Sequence, residues 1–373
     1  MLKFNILYIA NTGQIFGGGE ISLLKLLANL DKSKFHPIVV CPAYGSLSEA
    51  IQKMGIEVIV IKMETLRKIN PFHLFSSVWQ MRRFIKARHI DLVHSNGSRA
   101  TLYSGLAAKF AKVPAIWHVR VIESEGWYDK FLASLCVKLI AVSQAVKKRF
   151  DWLLQNKPEK VTVIYNGVDL EEFNPHISGA RIRQRYGLSP KTQVVGIVGN
   201  LIPWKGQEYF IRAARIIDER ITDVKFLIVG DGECRRRLED LTKELGLEEK
   251  IIFAGARRDI PEVMAAMDII VHSSISPEPF ARVIIEALAS GKPLVGINSG
   301  GVPEIGEDYK ELRLVPLRNE VAMAEAVICL LQDKEKTIKM GRRGRRRVEN
   351  CFDIKANARQ TEQVYRELLE KKN

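Results

Sequence analysis

Residues 276–291 read Ser276-Pro277-Glu278-Pro279-Phe280-Ala281-Arg282-Val283-Ile284-Ile285-Glu286-Ala287-Leu288-Ala289-Ser290-Gly291, and this stretch decides the fold. It follows Met267-Asp268-Ile269-Ile270-Val271-His272, an apolar run of strand character that ends in polar residues. From Ala281 to Ser290 the pattern predicts a helix, stopped by Gly291 and by Pro293 just beyond it. Two glutamates eight positions apart therefore bracket a strand-to-helix turn. Glu278 sits in the loop and Glu286 in the second helical turn.

Outward from this unit the same alternation fills the chain. In the first half, strands are expected at Asn5–Ala10, Pro37–Cys41, Val58–Ile61, Leu92–His94, Ala115–His118, Leu139–Val142 and Val161–Ile164. Helices are expected between most of them, among them Glu20–Leu30, Leu47–Met54 and Arg99–Phe110. The pattern breaks at Tyr165-Asn166-Gly167-Val168-Asp169 into a polar segment running to Pro175, the expected domain boundary. A second series begins with strand Val194–Val198, continues through strands Lys225–Val229, Ile251–Phe253 and Leu294–Ile297, and reaches helix Val321–Leu331. Such alternation argues for α/β architecture with two Rossmann-like, doubly wound parallel sheets, in domains 1–170 and 171–353. The closing segment, 354–373, reads as a polar-faced helix over Ile354–Lys371.

The chain has 373 residues, 46% of them hydrophobic, enough for two substantial cores. No apolar run approaches the roughly eighteen residues that cross a bilayer. The N-terminal residues read as a first strand and not as a signal peptide, so a cytoplasmic protein is expected. Five scattered cysteines (Cys41, Cys136, Cys234, Cys329, Cys351) support neither a disulfide framework nor a zinc site, and buried free thiols are expected. Formal net charge is +14. Residues 1–170 hold 23 Lys/Arg against 12 Asp/Glu, and residues 171–373 hold 34 against 31. The basic excess thus lies in the N-terminal half and calls for an anionic partner there, a membrane surface or an anionic acceptor. No nucleic-acid-binding motif accompanies it.

Several stretches carry candidate chemistry. Gly17-Gly18-Gly19 precedes a helix, where glycines let backbone approach a ligand and expose N–H groups to an anion. The tract is not G-x-G-x-x-G, so a dinucleotide fingerprint is absent. Were the span from Glu278 to Glu286 fully helical it would measure roughly 12 Å, about the reach of a nucleotide sugar from hexose to ribose. The helix between them offers its N-terminal N–H groups to a diphosphate. Gly230-Asp231-Gly232-Glu233 superficially matches a D-x-D metal motif and is read as a structural turn. Trp79–His89 (WQMRRFIKARH) is amphipathic and basic, suited either to an anionic bilayer or to a solvated helix packed on the sheet. Arg342–Arg347 (RRGRRR) is read as an exposed helix face.

The E-x7-E spacing within PEPFARVIIEALASGKPLV, followed by SGGVPEI, resembles the glycosyltransferases of family 4, which retain anomeric configuration and have the GT-B fold. The resemblance covers nearly the whole chain and is strongest over residues 160–305. It implies transfer of a sugar from a nucleoside-diphosphate donor to a hydroxyl of a glycan or lipid-linked acceptor, in polysaccharide or glycolipid synthesis, with a cleft between two domains and no metal or other cofactor. Glu286 would bind ribose, Glu278 the sugar hydroxyls, and Lys205 the departing phosphate. His118 would reach the donor sugar. Gly17, Gly18, Gly19, Asn200, Arg257, Phe280, Ala281 and Arg282 would also line the donor, and Asn96, Ser98, Arg99 and Arg120 the acceptor. Gly300 and Gly301 would help shape the donor side. Two departures stand out: Asn200 occupies a position where the family usually has Arg, and Ala281 one where Gly is common. The residues also leave open a sugar-nucleotide epimerase and a non-catalytic nucleotide-sugar or membrane-binding module.

Overall fold

The computed structural model describes residues 3–65 and 70–370. The chain divides into two compact units, one running to Gly167 and taking back the chain from Ile354, the other spanning Val168–Asp353.

In the first unit, the described residues form a seven-stranded sheet. Its strands are β1 (Phe4–Ile9), β2 (Phe35–Cys41), β3 (Glu57–Val60), β4 (Leu92–Asn96), β5 (Ala115–Val119), β6 (Lys138–Ala141) and β7 (Val161–Val163). The order is β3-β2-β1-β4-β5-β6-β7, with every pairing parallel. Strands covered on both faces lose the polar–apolar alternation of a half-exposed sheet, which is why β1 reads as a nearly continuous apolar run. Ile6, Leu7, Tyr8 and Ile9 are all fully buried. The helix Ile354–Glu370 belongs here, burying Ala358, Val364, Tyr365 and Leu369 in the same core as Leu23, Leu26 and Leu27 of the helix Gly18–Asn29. The last residue of the expected helix, Lys371, lies outside the described residues.

The second unit repeats the plan with six described strands: β8 (Gln193–Val198), β9 (Val224–Val229), β10 (Ile251–Gly255), β11 (Ile269–Val271), β12 (Leu294–Ile297) and β13 (Arg313–Val315). Their order is β10-β9-β8-β11-β12-β13, again all parallel. The expected pair of doubly wound parallel sheets is therefore present. The helix Ala180–Arg185, strand β13 and most of the helix Lys334–Cys351 are additions to the sequence reading. Strand β13 is only three residues long, too short to show a period. The helix Lys334–Cys351 buries little besides Met340, Gly341, Gly344 and Val348. It packs on the helix Arg282–Ala289 through its glycines: a Cβ at Gly341 would stand 2.1 Å from the Gly291 carbonyl oxygen, and one at Gly344 2.6 Å from Leu288 Cδ2. Arg345 of the RRGRRR run then donates to the carbonyls of Phe173 at 2.8 Å and Ala289 at 2.6 Å. This run is partly a structural clamp.

The cysteines correct one expectation. Cys41 and Cys136 are buried, and burial pushes both thiols up to about 12. Cys234 and Cys329 are half-buried, and Cys351 is exposed.

A buried ion pair fixes the loop that follows β5. Arg149 and Asp129 have fully buried side chains; Arg149 Nε donates to Asp129 Oδ2 at 2.9 Å, and the guanidinium lies 5.4 Å from the Trp117 ring. Asp129 also accepts from the Ser124 hydroxyl at 2.9 Å and the Glu125 N–H at 3.1 Å. Burial raises the Asp129 carboxyl, but Arg149 and Ser124 outweigh it and hold the group below its ordinary value. Such a pair contributes stability above the unfolded carboxylate value and loses it as pH falls through the lower folded value. Asp129→Ala leaves the buried guanidinium only the half-exposed Glu125 carboxylate and the Val121 carbonyl, each at 3.3 Å, and is expected to lower the unfolding free energy by about 3 kcal/mol in urea titrations. The double substitution Asp129→Leu, Arg149→Met is expected to recover most of that loss.

Candidate active site

In open parallel sheets, ligands bind beyond the carboxyl ends of the strands where the strand order reverses. In the second unit that point lies between β8 and β11. From β8 the chain continues through Asn200 to Lys205; from β11 it continues through His272, Ser273 and Ser274 to Glu278. The two loops are tied together: Ser273 Oγ donates to the Lys205 carbonyl at 2.8 Å, and the Ile275 N–H to the Trp204 carbonyl at 2.9 Å.

Their side chains converge on one carboxylate oxygen. Glu278 Oε1 accepts from Lys205 Nζ at 2.7 Å, stands 2.9 Å from His272 Nε2, and accepts from the Ser274 hydroxyl. Burial pushes the Glu278 carboxyl up, yet His272 and Lys205 together hold it well below the usual carboxylate range. The charged form is thus locked in. Gly300 and Gly301 hold the backbone of the same residue: the Gly301 N–H donates to the Glu278 carbonyl at 2.8 Å. Gly300 has φ +62°, and a Cβ there would lie 2.3 Å from that carbonyl oxygen.

The helix Arg282–Ala289 begins at the expected turn without a side-chain cap. Glu286 projects from its second turn and accepts from Arg282 Nη2 at 3.0 Å. Ala281 and Phe280 are buried, Phe280 with its ring centroid 5.5 Å from that of Phe352. Asn200 is exposed, its carbonyl accepting from Gln207 Nε2 at 2.8 Å. Arg257 is held apart from the carboxylate cluster, bound to Asp259 at 2.6 and 2.9 Å and to the Tyr186 hydroxyl at 3.1 Å. The Gly230–Glu233 turn packs beneath the β8 loop, with Leu201 N–H donating to the Asp231 carbonyl at 3.0 Å and Cys234 N–H to the Leu201 carbonyl at 2.9 Å. A cavity of about 890 Å³ opens at the amino ends of the strands, beside Gln193, Asp268 and Pro293. It lies at the wrong end of the sheet for this chemistry.

The first unit has its own reversal, between β1 and β4. Here Arg120 gathers the expected residues. Its Nη1 donates to Asn166 Oδ1 at 2.8 Å, its Nε and Nη2 lie 3.4 Å from Asn96 Oδ1, and Nη2 is 3.5 Å from His118 Nδ1. A Cβ on Gly19 would sit 3.6 Å from Arg120 Cδ, so the glycine loop lies against the same side chain. The helix takes in Gly18 and Gly19, and the Glu20 carboxylate caps it by accepting from the Gly17 N–H at 3.0 Å. Arg99 donates to the Asn11 carbonyl, while Asn11 Oδ1 accepts from the Ala100 N–H at 3.3 Å; Ser98 opens that helix, Ser98–Ala111. His118 is buried, and burial, together with Arg120 and His94, holds its imidazole well below the ordinary value.

Asn11, His94, Asn166, His272, Ser273 and Ser274 escaped the sequence reading as site residues. His94 lies in β4 and His272 immediately after β11, so a polar residue at the carboxyl end of an otherwise apolar strand was the available signal.

Residues 16–172 match the family described as Glycosyltransferase Family 4, and residues 179–347 match Glycosyl transferases group 1. An Escherichia coli protein named UDP-Gal:alpha-D-GlcNAc-diphosphoundecaprenol alpha-1,3-galactosyltransferase is 27% identical across 98% of both chains. The chain is a family 4 glycosyltransferase. Its fold is GT-B: Anabaena HepE in complex with UDP superposes with a TM-score of 0.86 at 26% identity, covering 97% of this chain and 99% of that one. A glycosyltransferase from Rickettsia africae gives 0.87 at 25% identity, covering 98% and 99%. Sugar transfer is the activity that this family carries, and the epimerase and non-catalytic readings are not favoured.

Gly300→Ala tests the glycosyltransferase's loop geometry. A left-handed backbone costs a residue with a Cβ roughly 1–2 kcal/mol, and the added methyl displaces the Glu278 carbonyl. A folded protein with sugar-transfer activity reduced at least about tenfold is expected, a loss that such a strain energy accounts for.

Proposed function

We propose that this enzyme transfers a hexose with retention of configuration, without a metal ion, to a hydroxyl of a lipid-linked or glycan acceptor at an anionic membrane surface. The observation that carries the reading is the ionised Glu278 carboxylate, held by Lys205, His272 and Ser274 at the strand reversal of the second unit. Glu278 accepts from sugar hydroxyls. Lys205, tied to Glu278 before the donor arrives, shares its charge with the diphosphate and stabilises the negative charge that grows on the leaving group. The uncapped start of the helix Arg282–Ala289 adds backbone N–H groups to the same anion. Glu286 takes the ribose hydroxyls, exchanging part of its bond to Arg282, and the loop bearing Arg257 faces the base.

The first unit supplies a neutral imidazole beside two cations, Arg99 and Arg120. On this reading His118 binds a sugar hydroxyl through Nε2, and Gly17–Gly19 serve the phosphates through backbone N–H groups. Asn96, Ser98, Arg99 and Arg120 orient the acceptor. None of the residues assigned to the reacting face of the sugar is a carboxylate nucleophile. The bond from the anomeric carbon to phosphate oxygen therefore breaks on the face where the acceptor oxygen attacks, and the departing phosphate takes the acceptor proton. Names of similar proteins favour α-linked products, among them the alpha-1,3-galactosyltransferase and a GDP-mannose-dependent alpha-mannosyltransferase of Mycobacterium tuberculosis. With an α-linked sugar diphosphate as donor, that outcome is retention. HepE has been seen with UDP-glucose. The E. coli relative's name specifies a lipid diphosphate acceptor.

Membrane contact is supported by the helix Pro71–Ala87. Val78, Met81 and Ile85 face the core, while Phe72 and Phe75 are 84% and 67% exposed. Phe72, Phe75 and Trp79 lie on one stripe with Arg82, Arg83 and Lys86, and Arg82 stacks 4.4 Å from the Trp79 ring. An apolar stripe with cations along it suits an anionic headgroup layer. None of the described helices is long and apolar enough to cross a membrane.

Incubation with a panel of nucleotide sugars, lipid extract and EDTA is expected to release nucleoside diphosphate from one donor. Lys205→Ala and Glu278→Gln are each expected to lower that turnover about 100-fold or more. Abolition by EDTA would refute metal independence, and a β-configured product from an α donor, read by proton NMR, would refute retention. In sedimentation with vesicles of anionic lipid, Phe75→Ser with Trp79→Ser is expected to release the protein into the supernatant; undiminished pelleting would remove this helix from the membrane reading.

A further inference from the structure

His118 has one buried ring nitrogen, Nε2, with no hydrogen-bond partner, while its Nδ1 has two neighbours. Arg120 Nη2 stands 3.5 Å from Nδ1, and His94 Nε2 stands 3.1 Å from it. A guanidinium only donates, so Nδ1 is an acceptor and a neutral ring carries its proton on Nε2. His94 Nε2 must then donate to His118. That leaves His94 Nδ1 as an acceptor, and the Tyr365 hydroxyl lies 2.5 Å from it. The Tyr365 oxygen in turn lies 2.9 Å from the Tyr8 hydroxyl. Every link is satisfied in one direction, from Tyr8 through Tyr365 and His94 to His118.

We propose that Tyr8, Tyr365 and His94 are positioning residues that fix His118 as an Nε2–H donor toward the bound sugar. The inference rests on the reading of His118 given under Proposed function. No proton travels along the relay; it sets a tautomer and a ring angle. Tyr8, His94 and Tyr365 are fully buried. The His94 and His118 rings stack with centroids 5.3 Å apart and planes 19° from parallel. Phenylalanine at both tyrosines and leucine at His94 would fill this core without polar groups to satisfy, so four linked polar side chains add an orientation that packing does not need. Burial holds the His94 imidazole down at about 3, with Arg120 adding to the effect, so this ring stays neutral. The nearest carboxylate, Glu362, is engaged by the Asp31 N–H at 2.7 Å. Because Tyr365 lies on the helix Ile354–Glu370, docking of that terminal helix is part of the relay.

The test uses the full chain. In histidine-selective nitrogen–proton correlation spectra near neutral pH, His94 and His118 are expected as Nε2–H tautomers. Tyr365→Phe deletes the hydroxyl that donates to His94 and is expected to let both rings populate the Nδ1–H form. Tyr8→Phe, one link further away, gives a smaller change of the same kind and serves if the first variant folds poorly. In Tyr365→Phe, kcat is expected to fall about tenfold with donor KM within about twofold, the scale of one lost hydrogen bond. In a His118→Ala background the same substitution lowers kcat no further. An Nδ1–H tautomer at His118 in the unaltered protein overturns the relay, as do tautomers indifferent to both tyrosine substitutions or losses that multiply in the double variant. The spectra require no turnover. Tautomers as expected but undiminished kcat in His118→Ala would therefore overturn the role given to His118 and not the relay's direction.

Discussion

A carboxylate taken out of water stays ionised only if its neighbours replace the lost hydration. Glu278 is in that position, and much of the second unit can be read as the means of supplying those neighbours. Lys205 arrives from β8, and His272 and Ser274 arrive from β11. They meet because the strand order reverses between these two strands, which leaves a gap beyond their carboxyl ends for both loops. The glycines at 300 and 301 bring a third segment under the Glu278 backbone. Behind it the helix Lys334–Cys351 presses on the helix Arg282–Ala289 at Gly344 and on the turn after it at Gly341, which lies too close to the Gly291 carbonyl to carry a Cβ. A single charged oxygen thus depends on three loops and two helices being in register.

The pattern of alternating apolar runs made both sheets legible, because buried parallel strands need no more than continuous apolarity and a turn at each end. Boundaries moved by a residue or two, as with β1, expected at Asn5–Ala10 and found at Phe4–Ile9. What stayed hidden has a physical reason in each case. β13 is too short to show a period. The helix Lys334–Cys351 has a surface so charged that its buried stripe is largely glycine, which no hydrophobic pattern registers. In the site, Glu278, Lys205 and Arg120 were legible through the resemblance of their segments to family 4. His272 and His94 were not, since one histidine at a strand end looks like any other until a carboxylate 2.9 Å away or a second imidazole 3.1 Å away gives it a task. Arg257 was legible as a cation, but nothing local revealed that Asp259, two residues on, would hold it.

The two units share a strand plan but differ in the chemistry placed at its reversal. The second unit uses formal charge: an ion pair at Glu278 and Lys205, and another at Arg282 and Glu286. That suits a diphosphate, whose charge rises as its bond to the sugar breaks. In the first unit, burial and the neighbouring Arg120 keep His118 neutral, and Arg120 itself is occupied by the side-chain oxygens of Asn96 and Asn166. Neutral donors suit hydroxyl groups, which need direction more than charge. On the role proposed for His118, an imidazolium would oppose the positive charge that develops at the anomeric carbon, whereas a neutral N–H binds a hydroxyl without that repulsion. Low dielectric makes this distinction sharper, since among the described residues the side-chain hydrogen-bond neighbours of His118 are His94 and Arg120, neither of them a carboxylate. The apolar surroundings of β4 and β5 that keep the ring uncharged are thus part of its chemistry, and the same burial that makes these strands easy to read in the sequence sets the protonation state of the residue at their end.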